Sequence, residues 1–357
     1  MNTTDYHRPP IRVALMGLGR SMFKHHYPIF KAHPSLFKIV CACDLLKERR
    51  DLIAKDFPEC RMFRRFDDML DEQDIDLVDI ATPTIDHLEH ATKSLGRGFW
   101  TLIETPLALT TDDAQVIKGA ALKARNRLIV MQRGLFDADF LLAKEMMSDP
   151  RLGPIYQLSI RKGDYIRRDD WQCVKRLGGG AAYYAMNDLV LQALKLLPTP
   201  PIQMWSELKR VASLGDAEDY AHVALKTREQ ISADVLFSGG AFPCDREPSF
   251  TIRGERGIFR VQPGLSVGEL TMIDPDFKFP RRRSSVRTPE IVDLHEDFPL
   301  VTMNVELPRG TLSGPSAFWR HVYESVRTGA AFPYTVEDSI EAVKFSHLMK
   351  KTSPFGK

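Results

Sequence analysis

The residues best suited to chemistry near the start of the chain are Gly17-Leu18-Gly19-Arg20-Ser21-Met22, which follow a short apolar run and open a segment of helical period. At such a junction the first glycine permits a tight turn from strand to helix, and the second lets the backbone approach a pyrophosphate. The helix N-terminus adds free N–H groups and a partial positive charge. Met22 stands where the dinucleotide fingerprint usually has Gly or Ala for close helix–strand packing. Asp44 ends the next apolar run, in Cys41-Ala42-Cys43-Asp44. A carboxylate there can accept both hydroxyls of an adenosine ribose and repel a 2′-phosphate, or it can serve as a plain helix N-cap. Arg20 points the other way, because a guanidinium just past the second glycine could reach a 2′-phosphate. Together these residues predict a nicotinamide dinucleotide site that favours NAD and leaves NADP open.

A second group lies mid-chain. Arg167-Arg168-Asp169-Asp170-Trp171-Gln172 puts an indole beside charged, hydrogen-bonding side chains. That combination suits a polyol, since the ring covers apolar C–H faces while polar groups take hydroxyls. A loop tryptophan packed on its own domain would look the same. Lys162, Asp164, Tyr165 and Arg168 are candidates for substrate contact in the same stretch, and Gly178-Gly179-Gly180 reads as a sterically free entry into the next helix. Arg281, Arg282, Arg283 and Arg287 form a basic run that fits a solvated loop or a contact with an acidic partner. The five cysteines show no zinc-ligand or CxxC spacing, so no metal is expected. Cys41 and Cys43 share one strand face as core filler.

These residues need a scaffold, and the hydrophobic periods supply one. Apolar runs at Ile11–Met16, Phe37–Cys43, Leu77–Ala81, Trp100–Ile103 and Leu128–Met131 alternate with helical patterns at Ser21–Ala32, Leu46–Asp56, Asp86–Leu95 and Asp112–Arg125. Residues 1–133 are therefore expected to form an α/β Rossmann domain with a doubly wound parallel sheet. After a helix near Asp137–Ser148, strand patterns follow at Ile155–Ile160, Ile202–Val211, Tyr220–Thr227, Ile231–Phe237 and Phe250–Val261. Helices at Pro315–Arg327 and Val336–Lys350 close the chain. Residues 134–357 are expected to form a substrate-binding α+β domain with one large, mostly antiparallel sheet, the closing helices packing back on the first domain. One sheet face should carry an apolar patch that needs cover, which predicts a homo-oligomer. Lys plus Arg (49) nearly equals Asp plus Glu (47), which argues against a nucleic-acid surface. No run of ~18 apolar residues suggests a membrane span. Nothing near Met1 reads as a signal peptide, so a cytoplasmic setting is expected.

Two further stretches narrow the class. Ala81-Thr82-Pro83-Thr84-Ile85-Asp86-His87 ends one strand and Glu104-Thr105-Pro106-Leu107-Ala108 ends the next. With the glycine turn, Gln132-Arg133, Asp170-Trp171-Gln172, Gly178–Gly180 and a helical C-terminus closing on Lys351-Thr352-Ser353, they resemble the Gfo/Idh/MocA family. These are oxidoreductases grouped around glucose–fructose oxidoreductase and inositol dehydrogenase. The resemblance implies that Thr82, Pro83 and His87 line the adenosine and pyrophosphate side of the cofactor. It implies that Glu104, Thr105 and Pro106 sit under the nicotinamide, the bond to the proline often being cis. On residues alone, His87 reads as a hydrogen-bonding residue at a helix start. The implied activity is hydride transfer on a sugar, cyclitol or related polyhydroxylated compound, within carbohydrate metabolism.

The catalytic set departs from the family's. The family usually supplies a Lys from Glu-Lys-Pro, and an Asp and a His four apart on one face of the helix after the glycines, with a second Asp three residues later. Counting from Gly180 puts Tyr184, Asp188 and Leu191 at those places, and Thr105 replaces the Lys. Three readings stay open. Tyr184 and Asp188 form a rebuilt acid/base pair, the phenol (ordinarily about 10) being lowered by Lys162, Arg167 or Arg168. Alternatively the protein is a redox-neutral sugar-processing enzyme that holds NAD tightly. In the third reading it is a catalytically silent binding or partner subunit.

Overall fold

Short runs rich in Val, Ile and Leu make parallel strands that are buried on both faces. In the computed structural model, which describes residues 8–242, 244, 247–279 and 297–356, six such strands form one sheet. They are β1 (Ile11–Met16), β2 (Phe37–Cys43), β3 (Arg61–Phe63), β4 (Leu77–Ile80), β5 (Trp100–Ile103) and β6 (Leu128–Val130). Their order is β3-β2-β1-β4-β5-β6, every pair parallel. The order reverses between β1 and β4, and the carboxyl ends of strands at such a switch point are where open α/β sheets bind ligands. Helices α1 (Tyr27–Ala32), α2 (Lys47–Asp56), α3 (Phe66–Leu70), α4 (His87–Gly96) and α5 (Thr111–Lys123) complete the layers. The expected single helix over 21–32 is instead two segments, because Met22–His26 forms a wider π-helical turn before α1. Met22 is fully buried under that turn, so a bulky side chain occupies the position usual for Gly or Ala.

The second sheet has eight strands: β7 (Ile155–Gly163), β8 (Gln203–Lys209), β9 (Tyr220–Lys226), β10 (Ser232–Ser238), β11 (Phe250–Gly254), β12 (Gly257–Val261), β13 (Val267–Ile273) and β14 (Leu300–Glu306). Their order is β14-β13-β12-β11-β7-β10-β9-β8, with β10 parallel to β7 and the other neighbours antiparallel. The segment expected as one strand over 250–261 is a hairpin, β11 turning into β12 at Glu255-Arg256. Glycine is required beside that turn, since a Cβ on Gly254 would lie 2.1 Å from the Leu152 carbonyl oxygen.

One face of this sheet is covered by α6 (Ala138–Met146), α7 (Ala181–Tyr184) and α8 (Met186–Leu196). Of the closing helices, α9 (Gly314–Thr328) packs against β1, and α10 (Val336–Thr352) against α5 and β6 and also against α7 and α8. Trp319 of α9 is fully buried, edge-on to Phe30 at 5.0 Å and Phe37 at 5.6 Å. Truncating such a side chain costs about 3–5 kcal/mol, so α9 is integral to the N-terminal core. The open face is mixed, carrying Trp205, Leu236, Ile258, Val267 and Leu300 among polar and charged side chains. Strand alternation puts Gln157, Arg161, His222, Asp234, Arg253, Arg260 and Glu269 there, beside Trp205. Arg161 and His222 both pair with Asp234 on that face. Arg281, Arg282, Arg283 and Arg287 lie outside the described residues. Among the described residues no helix is long and apolar enough to cross a membrane, and no cluster of three metal-ligating side chains occurs.

Candidate active site

The glycine turn is built for close approach. Gly17 has φ +86°, and a Cβ on it would meet Thr82 Cγ2 at 2.7 Å and the Ala81 carbonyl oxygen at 2.9 Å. A Cβ on Gly19 would meet nothing within 4 Å, so this glycine faces open space at the start of the helix. First-turn N–H groups lack intrahelical partners and suit an anion. Asp44 is no helix cap. Its Oδ2 accepts from Leu18 N at 2.8 Å and its Oδ1 from Leu46 N at 2.8 Å, so the carboxylate ties the ends of β1 and β2 together. The Arg20 guanidinium, which could have faced the ribose side, is engaged elsewhere in this structure. Arg20 crosses to the second domain, with Nη2 at 2.7 Å from Asp170 Oδ2 and 2.9 Å from Gln172 Oε1. The cation beside Asp44 is instead Arg49, with Nη1 at 3.4 Å. Sequence reasoning missed it, although its place in the first turns of the helix after β2 was the available signal.

Thr82 presses on Gly17, and its hydroxyl meets His90 Nδ1 at 3.0 Å. Pro83 leads into the helical turn Thr84–Asp86. His87 is buried, with Nδ1 at 3.0 Å from the Pro106 carbonyl oxygen and Nε2 at 3.1 Å from the Thr82 carbonyl oxygen. Burial holds it below its ordinary pKa although both carbonyls favour the charged ring. Its ring therefore braces the loops after β4 and β5 and is not presented to a ligand. The Thr105–Pro106 peptide is cis.

Glu104 heads a buried chain that the sequence did not reveal. Its Oε1 accepts from the Ser21 hydroxyl and faces His26 Nε2 at 2.9 Å, while His26 Nδ1 meets Asp79 Oδ2 at 2.8 Å. His26 and Asp79 are wholly buried. Burial alone would push His26 down, but the two carboxylates outweigh it and raise its pKa to about 9. Burial opposes ionisation of Glu104 as well, yet His26, Arg133 and Ser21 bring it to about 2. Glu104 is thus held as an anion under the switch point by an imidazolium.

The helix after the glycines is broken. α7 ends at Ala185 (φ −127°, ψ −52°) and α8 starts at Met186, so Tyr184 and Asp188 stand on consecutive helices rather than on one face of a single helix. Gly180, at φ +122°, leads into α7, and a Cβ on it would lie 2.2 Å from Glu218 Oε1. Tyr184 packs edge-on to Phe237 at 5.6 Å, and the Arg168 guanidinium lies 4.4 Å over its ring. The expectation of a cation-lowered phenol is corrected, because burial raises Tyr184 to about 12 against the pull of Arg168. Asp188 is half-buried and also raised, chiefly by burial and in part by Glu104. Lys162, the Thr105 hydroxyl hydrogen-bonded to it, and Arg133 oppose that rise.

A cleft of about 1100 Å³ wraps the ends of β7 and β10, and Leu189, the residue after Asp188, lines it together with Lys162, Asp137, Gln192, Phe242 and Leu265. Lys162 is exposed there. The structure brings Lys162 to the cleft and Arg168 to Tyr184, but neither Asp164 nor Trp171 lines the cleft. Trp171 is half-buried in the turn Trp171–Cys173, whose Asp170 and Gln172 hold both Arg20 and Arg168. That segment straps the glycine turn to the second domain. Asp137 and Arg133 were not anticipated as site residues. Both lie after β6 at the carboxyl edge of the sheet, which was the usable signal.

Two family models match this chain: one described as "Oxidoreductase family, NAD-binding Rossmann fold" over residues 11–132, and the GFO/IDH/MocA C-terminal domain over residues 140–260. The chain is 30% identical over 257 residues to an uncharacterized oxidoreductase of Schizosaccharomyces pombe, with 70% of each covered. It is 23% identical over 355 residues to the scyllo-inositol 2-dehydrogenase (NADP(+)) of Bacillus subtilis, covering 96% of this chain and 94% of that one. An NAD-binding protein from Listeria innocua shares the fold with a TM-score of 0.80 at 21% identity, covering 97% of this chain and 98% of that one.

Proposed function

This chain belongs to the Gfo/Idh/MocA oxidoreductase family, and we propose that it is an NAD(P)-dependent oxidoreductase interconverting a hydroxyl and a carbonyl on a sugar, cyclitol or related polyhydroxylated compound. Its N-terminal part is the family's NAD-binding Rossmann fold. We take residues 1–133 as the dinucleotide half and 134–357 as the substrate half. When bound, the dinucleotide supplies the hydride acceptor or donor. Gly17, Gly19, Ser21 and Met22 would hold the pyrophosphate, Asp44 the adenosine ribose, Thr82 and Pro83 the side wall, and Glu104, Thr105 and Pro106 the nicotinamide side.

The observation that carries this reading is the environment of Asp188. A proton acceptor beside a reacting carbinol works best with a pKa near the working pH. Burial moves this carboxyl up from its ordinary value, and the Thr105 hydroxyl fixes one of its oxygens at the end of β5. Tyr184, raised to about 12, serves as packing and as a hydrogen-bonding wall. The likeness to a scyllo-inositol dehydrogenase along nearly the whole chain supports a cyclitol or similar polyol. A cytoplasmic homo-oligomer seated on the open sheet face completes the proposal, and a monodisperse monomer by light scattering would refute that part.

The test is a fluorescence titration of cofactor-stripped protein with NADH and NADPH. Micromolar binding of either, about 8 kcal/mol, is expected. Failure of both to bind would overturn the proposal.

A further inference from the structure

Lys162 extends the row Leu158, Ile160 along β7, on the face that α8 covers. Leu158 and Ile160 are buried in the core, so this row would ordinarily end in another apolar side chain. Instead it ends in an ammonium at the cleft. In register, Lys162 sits beside Phe237 of β10, whose ring lies 5.6 Å from that of Tyr184, one turn before Asp188. The same cleft is lined by Asp137 from the start of α6 and by Leu189 and Gln192, which follow Asp188 on α8. A lysine from the second domain therefore shares a cleft with the carboxyl before α6 and lies close enough to the carboxyl on α8 to act on its charge.

We propose that Lys162 is a catalytic residue, its ammonium donating a hydrogen bond to the oxygen of the reacting carbinol while Asp188 exchanges the proton. The proposal rests on the dehydrogenase reading above and assigns the roles within it. In the oxidative direction the carbinol C–H bond breaks and its hydride passes to the oxidised dinucleotide. The O–H proton passes to the Asp188 carboxylate, and the C–O bond becomes a carbonyl. Lys162 stabilises the negative charge that develops on oxygen as the O–H bond breaks. The Thr105 hydroxyl is hydrogen-bonded to Asp188 and the Asn187 amide donates to its Oδ1 at 3.4 Å, which still leaves carboxylate lone pairs for the substrate.

The charged groups acting on Asp188 come from four directions: Lys162 on β7, Glu104 after β5, Arg133 after β6, and Asp137 before α6. Lys162 lowers both Asp188 and Asp137 against the burial that raises them. Removing its charge must raise Asp188 further.

The test compares Lys162→Met and Lys162→Arg with the parent protein. Lys162→Met is expected to lower kcat/KM by about 10²–10³-fold, the usual effect of losing one donor to a developing oxyanion. It should also move the acidic limb of the pH profile to higher pH, and Lys162→Arg should restore the limb. A second readout needs neither cofactor nor turnover. Carboxyl ¹³C NMR titration of the cofactor-free protein, with Asp188→Asn for assignment, should show Asp188 titrating at higher pH in Lys162→Met. If no polyol is turned over by the parent, the dehydrogenase reading fails, while the NMR titration still tests the Lys162–Asp188 pairing. A Lys162→Met protein within about threefold of the parent in kcat/KM, with its pH limb and its Asp188 titration unmoved, overturns the proposal.

Discussion

Replacing His26 with glutamine removes the imidazolium held between Asp79 and Glu104 and leaves both carboxyls facing a neutral amide. Raising an imidazole from 6.5 to about 9 corresponds to roughly 3 kcal/mol of extra proton affinity in the folded state. Breaking a buried ion pair by deleting one partner costs about 3–5 kcal/mol, so two routes give the same scale. The sign follows from a raised folded-state pKa. The stabilisation is fully present below 6.5 and is lost as pH rises through about 9. Urea unfolding across that window should therefore show the parent losing stability as pH rises. His26→Gln should be less stable by about 3 kcal/mol at the acidic end and should not follow that decline, so the curves converge under alkaline conditions. A constant gap across the window, or a variant as stable as the parent in mildly acidic buffer, would refute the buried imidazolium.

Three further outcomes follow from the geometry. Gly17→Ala forces a Cβ to 2.7 Å from Thr82 Cγ2 at a φ of +86°, so NADH binding by fluorescence titration should weaken at least about tenfold, or 1.4 kcal/mol. Asp188→Asn removes a carboxyl whose pKa is raised by burial. The ionised parent is penalised at neutral pH, so thermal unfolding should show the variant stabilised there and the gain vanishing below about pH 4. Tyr184→Phe keeps the ring over which Arg168 lies and removes a phenol raised to about 12. Its kcat/KM should stay within about threefold, and a loss of about 10²-fold would return the phenol to the chemistry.

The dinucleotide half was legible because its signals are local. An apolar strand, a glycine turn and a terminal Asp44 lie within one βαβ unit, and each keeps its expected place. The chain from Ser21 to Asp79 was not legible, because His26 lies 53 residues from Asp79 and 78 from Glu104. Only the parallel stacking of β1, β4 and β5 brings those side chains together. The break at Ala185 was hidden because Ala181–Leu196 is apolar at helical spacing, with no Gly or Pro to mark it. The hairpin over 250–261 read as one strand although Gly254 and Gly257 flank the turn and the apolar alternation changes phase between Ile252 and Phe259. Lys162 was visible as a charge near the pocket, whereas its neighbour Asp137 looked like an ordinary helix start. Asp137 gains meaning only from the cleft that it lines with Lys162.

The most direct test of the central claim is turnover. Purified protein is incubated with NAD⁺ or NADP⁺ and a panel of cyclitols, aldoses and glycosides, and reduced dinucleotide is followed by fluorescence. The account predicts that at least one polyol reduces the cofactor and that Asp188→Asn slows this by about 10²–10⁴-fold. A protein that binds the dinucleotide but turns over no polyol, or an Asp188→Asn variant as fast as the parent, would contradict it.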